Sequence, residues 1–173
     1  MTVAVLALLA ATATGGLLLT AWGERVRPLW GAVALGALLA VAAALAWFAR
    51  PATLGIAQGA TFAGMLAAIT GGGPVATAIL KAADPAAVGI AGGPQDPEIL
   101  RGGAWIGAME RAAIAGALLA GWPEGLAVVL AVKGLGRYAE LRKPAAAERF
   151  IVGTLASGLW AVACVGVVLL QRS

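Results

Sequence analysis

Of the 173 residues, 61% are hydrophobic, 12% are charged and a further 25 are glycine, whereas soluble domains run at roughly 45–50% apolar and about 25% charged. A soluble fold of this length leaves roughly 30% of its unfolded surface in water and has no room to hide so much apolar side chain; disorder, which goes with a shortage of apolar residues, is excluded too. With a net charge of +4, no histidine and one cysteine (Cys164, inside an apolar run), imidazole chemistry and a disulfide scaffold are also excluded, and the class that remains is an all-α integral membrane protein.

Crossing the hydrocarbon takes about 20 mostly apolar residues, and the sequence predicts about six transmembrane helices. The first runs from Thr2 to Trp22 and the second from Leu29 to Phe48. The third covers Ala52 to Thr70 and is expected to stop at Gly71-Gly72-Gly73, with a short helical piece from Pro74 to Ala83 before the breaker Asp84-Pro85. Residues 74–103 form the one long connection, Gly/Pro-rich and irregular from Gly92 to Pro97, with Pro74 to Leu80 open to a re-entrant reading. Ala104–Gly121, Pro123–Leu141 and Arg149–Leu170 complete the set. Pro28, Pro51, Pro123 and Pro144 each stand where a helix begins, a position at which the missing N–H costs nothing. The chain thus reads as a single membrane domain: an apolar three-helix scaffold over 1–73, the connection over 74–103, and a three-helix half over 104–173 that carries the polar residues. Halves of opposite topology are a feature of inverted-repeat transporters, although these two do not match in sequence.

Lys and Arg decide the orientation. If the loop between the fifth and sixth spans faces the cytoplasm, Arg137, Arg142, Lys143, Arg149, Arg25, Arg27, Lys81 and Arg101 fall on or near that side, and only Arg50 and Arg172 lie outside. Both termini are then extracytoplasmic, in a bacterial inner membrane, and the connection is cytoplasmic. Met1 is followed by no positive n-region, which disfavours a cleaved signal peptide. The basic surplus is a topology signal, and no nucleic acid is expected as a partner.

The candidate ligand-binding residues are Glu110, Arg111, Lys133, Arg137, Thr154 and Ser157. Glu110 and Arg111 lie about 10 Å inside the fourth span and Lys133 about 12 Å inside the fifth, at about 1.5 Å per residue. Folding the fourth and fifth spans about Trp122-Pro123 brings Glu110 level with Gly134 and Arg111 level with Lys133. Folding the fifth against the sixth brings Thr154 to the same depth, with Ser157 one turn deeper. Lys133 and Arg137 share a helix face, and Gly134 and Gly136 remove bulk beside them. A charge near the bilayer centre costs on the order of 2.5–3.5 kcal/mol, so it faces a partner or a wet cavity. Glu110 is the evident counter-ion for Lys133 or Arg137, and the remaining positive charge suits one anionic guest, a phosphate or a carboxylate.

Structural roles stand beside each of these. Glu110 and Lys133 could form a pair that only locks the helical hairpin. Arg137, Arg142, Lys143 and Arg149 could snorkel to headgroups, Glu148 could cap the sixth helix, and Thr154 and Ser157 could bond carbonyls of their own helix. Gly55 and Gly59 have the spacing of a small-xxx-small contact. The Gly71–Gly73 turn resembles a phosphate cradle only loosely, lacking the Lys-Ser or Lys-Thr of a P-loop, and a helix stop is preferred there. The six tryptophans, mostly near span ends, read as interfacial anchors. Nothing assembles a catalytic residue, a metal site or a cofactor site.

GGAWIGAMER at 102–111, AVKGLGRYAEL at 131–141 and ERFIVGTLASGLWA at 148–161 resemble, in order and spacing, a bacterial family of small multi-spanning membrane proteins classed as a domain of unknown function. The resemblance covers about a third of the chain. It implies a helical membrane fold and brings no substrate, cofactor or catalytic residue.

The expectation from sequence is therefore a small membrane transporter or binding protein with an anionic, phosphate-bearing, lipid-like ligand on its cytoplasmic side. The alternative is a non-catalytic accessory or assembly subunit, in a homo-oligomer or larger membrane complex, with the ion cluster serving only packing. An enzyme acting on headgroups ranks third.

Overall fold

The computed structural model describes residues 1–22, 28–83, 103–138, 140–142 and 144–172. Arg25, Arg27, Asp84-Pro85, the Gly92–Pro97 stretch, Arg101 and Lys143 lie outside the described residues. Those described form helices and turns, with no strand among them. The helices are α1 (Thr2–Trp22), α2 (Pro28–Trp47), α3 (Leu54–Ala83), α4 (Gly103–Leu119), α5 (Gly125–Gly136) and α6 (Pro144–Leu170), with a 3₁₀ turn over Glu140–Arg142 before α6.

In α1, α2, α3 and α6 hydrophobicity runs all round the helix, and in α3 side-chain size decides which face turns inward. The buried stripe of α3 consists wholly of alanine and glycine: Ala60, Ala63, Gly64, Ala67, Ala68, Gly71, Gly72 and Ala78. Large apolar side chains such as Leu17, Trp30, Phe62 and Leu159 point outward. Close backbone approach with bulky residues facing away is how helices associate when the surroundings are as apolar as the side chains. These four helices are long and apolar enough to cross a membrane, which fits a membrane-spanning protein.

The glycine triplet does not end the third helix. α3 runs unbroken through Gly71-Gly72-Gly73-Pro74 to Ala83, 30 residues in all, about 45 Å at 1.5 Å per residue. Pro74 has no N–H for the carbonyl one turn earlier, but side chains of neighbouring helices donate to this part of α3, and such donors are what let an apolar setting tolerate Gly and Pro within a helix. Gly16 of α1 packs so closely that a Cβ there would lie 2.7 Å from the Gly71 backbone nitrogen. Of the small-xxx-small pair, Gly59 meets Leu6 of α1 whereas Gly55 faces open space.

Helices α3 and α6 form the central pair. α3 also packs on α1, α2 and α4, and α6 on α2 and α4. The chain's two ends meet: Gln171 donates to the Thr2 carbonyl, and the Ala52 N–H to the Gln171 carbonyl. Arg50 and Arg172 therefore stand at the terminal end of the bundle. Lys81, Arg137, Arg142 and Arg149 stand at the opposite end, where Leu80 of α3 meets Gly153 of α6.

The two remaining helices are short. α4 closes with Gly121 at φ 74°, the Gly121 N–H on the Leu118 carbonyl and the Trp122 N–H on the Ala117 carbonyl. This left-handed cap satisfies the last carbonyls and reverses the chain. α5 then runs for 12 residues and ends at Gly136 rather than at Leu141, about 18 Å against a hydrocarbon core of about 30 Å. The N–H groups of Arg137 and Tyr138 close back on Gly134 and Leu135, and the two glycines, with the least tendency to stay helical, sit where the helix gives way.

Candidate functional site

The site follows from how α4, α5 and α6 lean. Among the described elements α5 packs extensively only on α4, whereas α6 is drawn onto α3. A wedge is left between α5 and α6, with α4 as its floor, and it forms a cavity of about 600 Å³.

Its walls are mainly apolar, with Ile106 and Met109 from α4, Val128, Val129 and Val132 from α5, and Phe150 from α6. Glu110, Lys133, Arg137, Arg149 and Thr154 supply the polar lining. Lys133 crosses the wedge. Its Nζ forms an ion pair with the Glu110 carboxylate and lies 5.7 Å from the centre of the Phe150 ring. Because α5 stops early, Lys133 belongs to its last turn, where the negative end of the helix dipole favours a cation; it does not lie two turns inside a long span. The pair is largely enclosed, with 22% of the lysine and 13% of the glutamate side chain exposed. The Thr154 hydroxyl is buried with no hydrogen-bond partner among the described residues. Arg137 is exposed at the end of α5, and both Arg137 and Arg149 hold contacts of their own.

The structure divides the six candidate residues into two groups. Glu110, Lys133, Arg137 and Thr154 line the cavity. Arg111 leaves the far side of α4 toward α3, where Ser157 of α6 meets it. Successive residues of a helix point about 100° apart, so Glu110 and Arg111 cannot both face α5. Arg111 is buried, and its Nε donates to the Ile69 carbonyl at 2.8 Å. Its Nη1 lies 3.3 Å from Ser157 Oγ, which accepts from it. The guanidinium stem rests on Gly72, with Gly73 and Gly107 also close.

Trp160 is part of the same assembly. It is buried in α6 rather than anchored at an interface, and its Nε1–H donates to the Ala67 carbonyl at 2.9 Å. Its ring lies where a Cβ on Gly71 would reach 2.7 Å. The glycine triplet is therefore the seat for Arg111 and Trp160. Trp22, Trp30, Trp47, Trp105 and Trp122 are all exposed, at or near helix ends.

Arg149 and Phe150 are among the lining residues that the sequence-based site did not include. Their signal was available: they precede Gly153 and Thr154 by about one turn and so share that face of α6. Arg142 stands apart from the cavity, 5.8 Å from the centre of the Tyr138 ring.

Compared with known protein families, with characterised proteins and with solved structures, the chain matches none of them.

Proposed function

We propose that the protein is a small integral membrane transporter or binding protein whose α4–α5–α6 cavity holds an anionic, phosphate-bearing, lipid-like ligand. The observation that carries this reading is the composition of one cavity: apolar walls, a polar lining of Glu110, Lys133, Arg137, Arg149 and Thr154, and a buried Thr154 hydroxyl with no hydrogen-bond partner among the described residues. A volume of about 600 Å³ falls within the roughly 300–1,000 Å³ of small-molecule sites. Lys133 and Arg137 bind the anion, Glu110 orients Lys133, and Thr154 gives a neutral hydrogen bond. Arg111 and Ser157 hold the floor of the site in place from behind.

The reading extends to topology. The basic end of the bundle faces the cytoplasm of a bacterial inner membrane and both termini lie outside, as an excess of Lys and Arg on the cytoplasmic side requires. α4 and α5 complete the six apolar segments as a short hairpin, and the motifs at 102–111, 131–141 and 148–161 carry the resemblance to the family of unknown function across this same region.

The alternative, an accessory or assembly subunit, draws support from Arg111, a buried charge bound wholly into helix packing. Thermal unfolding in mild detergent tests the choice. Under the ligand reading an anionic phospholipid raises the Tm of wild type and leaves the Lys133→Ala/Arg137→Ala double variant unchanged. An equal shift in both proteins, or none in either, contradicts it.

A further inference from the structure

Three helices wall the cavity, and they are not held equally. We infer that the ligand enters sideways from the bilayer, its hydrocarbon chain passing between α5 and α6, and that Lys133 is the latch across this entrance. The inference rests on the reading of the cavity as an anionic-lipid site and deepens it.

Two of the walls are built into the bundle: α6 packs on α3, and α4 packs on both. The third, α5, packs extensively only on α4 among the described elements. Its start is tight, since a Cβ on Gly125 would lie 2.8 Å from the Ala117 Cβ and 2.9 Å from the Trp122 ring. Its end is loose, since a Cβ on Gly134 or Gly136 would meet nothing within 4 Å among the described residues. Beyond those glycines the chain is caught again where the 3₁₀ turn over Glu140–Arg142 packs on α6. α5 is therefore a strap anchored at both ends, and the residues least inclined to stay helical lie at its loose end. Movement there widens the gap to α6 without disturbing the α3–α6 core.

One side chain ties the strap to both other walls. Lys133 Nζ is paired with Glu110 of α4 and lies 5.7 Å from the centre of the Phe150 ring of α6. Separating the pair between apolar walls would leave two charges unmatched, which holds the strap closed. The edge of the gap is apolar. Val128 and Val132 of α5 line the cavity and are also exposed. Ile151 and Leu155 of α6 are exposed one position beyond the lining residues Phe150 and Thr154, about 100° further round the helix. An amphiphile already in the membrane can pass this edge without bringing its chain into water. Its anionic head, on reaching Lys133, offers the lysine a second partner in place of Glu110, so one residue closes the entrance and receives the head.

Exchange of radiolabelled dioleoyl phosphatidylglycerol on the purified protein, immobilised in mild detergent, tests the inference. Uptake and chase-driven release are followed on wild type, with Lys133→Ala/Arg137→Ala as the blank. Val132→Trp combined with Leu155→Trp adds bulk at two largely exposed positions on the edge and should slow uptake and release together by about tenfold. Glu110→Gln loosens the latch and should speed both. A residue that only binds the head would change release and leave uptake nearly as it was. Exchange at the wild-type rate in the tryptophan variant overturns the side entrance. An effect of Glu110→Gln on release alone, or none, overturns the latch; both outcomes leave the anionic-lipid reading intact. Release driven as well by inorganic phosphate as by unlabelled lipid also overturns the side entrance, since a soluble anion then arrives through the basic end of the cavity. No retention on wild type above the blank overturns the anionic-lipid reading and this inference with it.

Discussion

Arg111 and Gly72 pack as one unit: the Arg111 stem lies over the Gly72 backbone, in space that any Cβ at that position would fill. Its Nε reaches the Ile69 carbonyl one turn earlier on α3. This contact keeps α3 helical across the triplet and fixes the back of α4, whose front carries Glu110.

Two substitutions separate the parts of this clamp. Gly71→Ala would push a methyl into the rigid Trp160 ring, and overpacking of this kind costs about 1–3 kcal/mol. Arg111→Met would remove hydrogen bonds made by a charged donor, worth about 1.5–3 kcal/mol each. Both should lower the Tm in detergent, with Gly71→Ala at least as damaging as substitution at Gly55, which faces open space.

The Glu110–Lys133 pair gives a second expectation. Removing one partner leaves the other charge enclosed, which costs more than removing both. A double-mutant cycle with Lys133→Ala, Glu110→Ala and the combination should give a coupling of about 0.5–3 kcal/mol, the double variant being more stable than Lys133→Ala alone. Additive effects in chemical unfolding would show that the pair does not hold the hairpin.

Thr154 separates stability from binding. Its hydroxyl has no hydrogen-bond partner among the described residues, so Thr154→Val should keep or raise stability by about 1 kcal/mol while weakening lipid-induced stabilisation. Loss of stability with binding unchanged would assign the hydroxyl to packing.

The contact between Gln171 and Thr2 places both termini at one end of the bundle. Alkaline phosphatase fused in turn to each terminus should be active in both cases, and green fluorescent protein dark in both. Opposite outcomes at the two ends would contradict the arrangement.

The long apolar runs made α1, α2 and α6 legible in the sequence to within a few residues, because nothing but a helix satisfies so many backbone groups in an apolar setting. The course of α3 was harder to read. Gly71-Gly72-Gly73-Pro74 has the local chemistry of a stop, and only the arrival of Arg111 and Trp160 from helices far along the chain makes it a packing seat. The polar cluster was legible in depth but not in direction: counting along the helices placed Glu110 near Lys133, while the turn between Glu110 and Arg111 sends the second residue to α3. The early end of α5 lay in Gly134 and Gly136, which had read as space for a ligand.

Native mass spectrometry tests the central claim most directly, with the protein extracted from its membrane in mild detergent beside the Lys133→Ala/Arg137→Ala variant. A defined anionic adduct on wild type, absent from the folded variant, is the expected result. A wild-type spectrum holding only the bare polypeptide, or the chain bound to another protein with no small adduct, would contradict it.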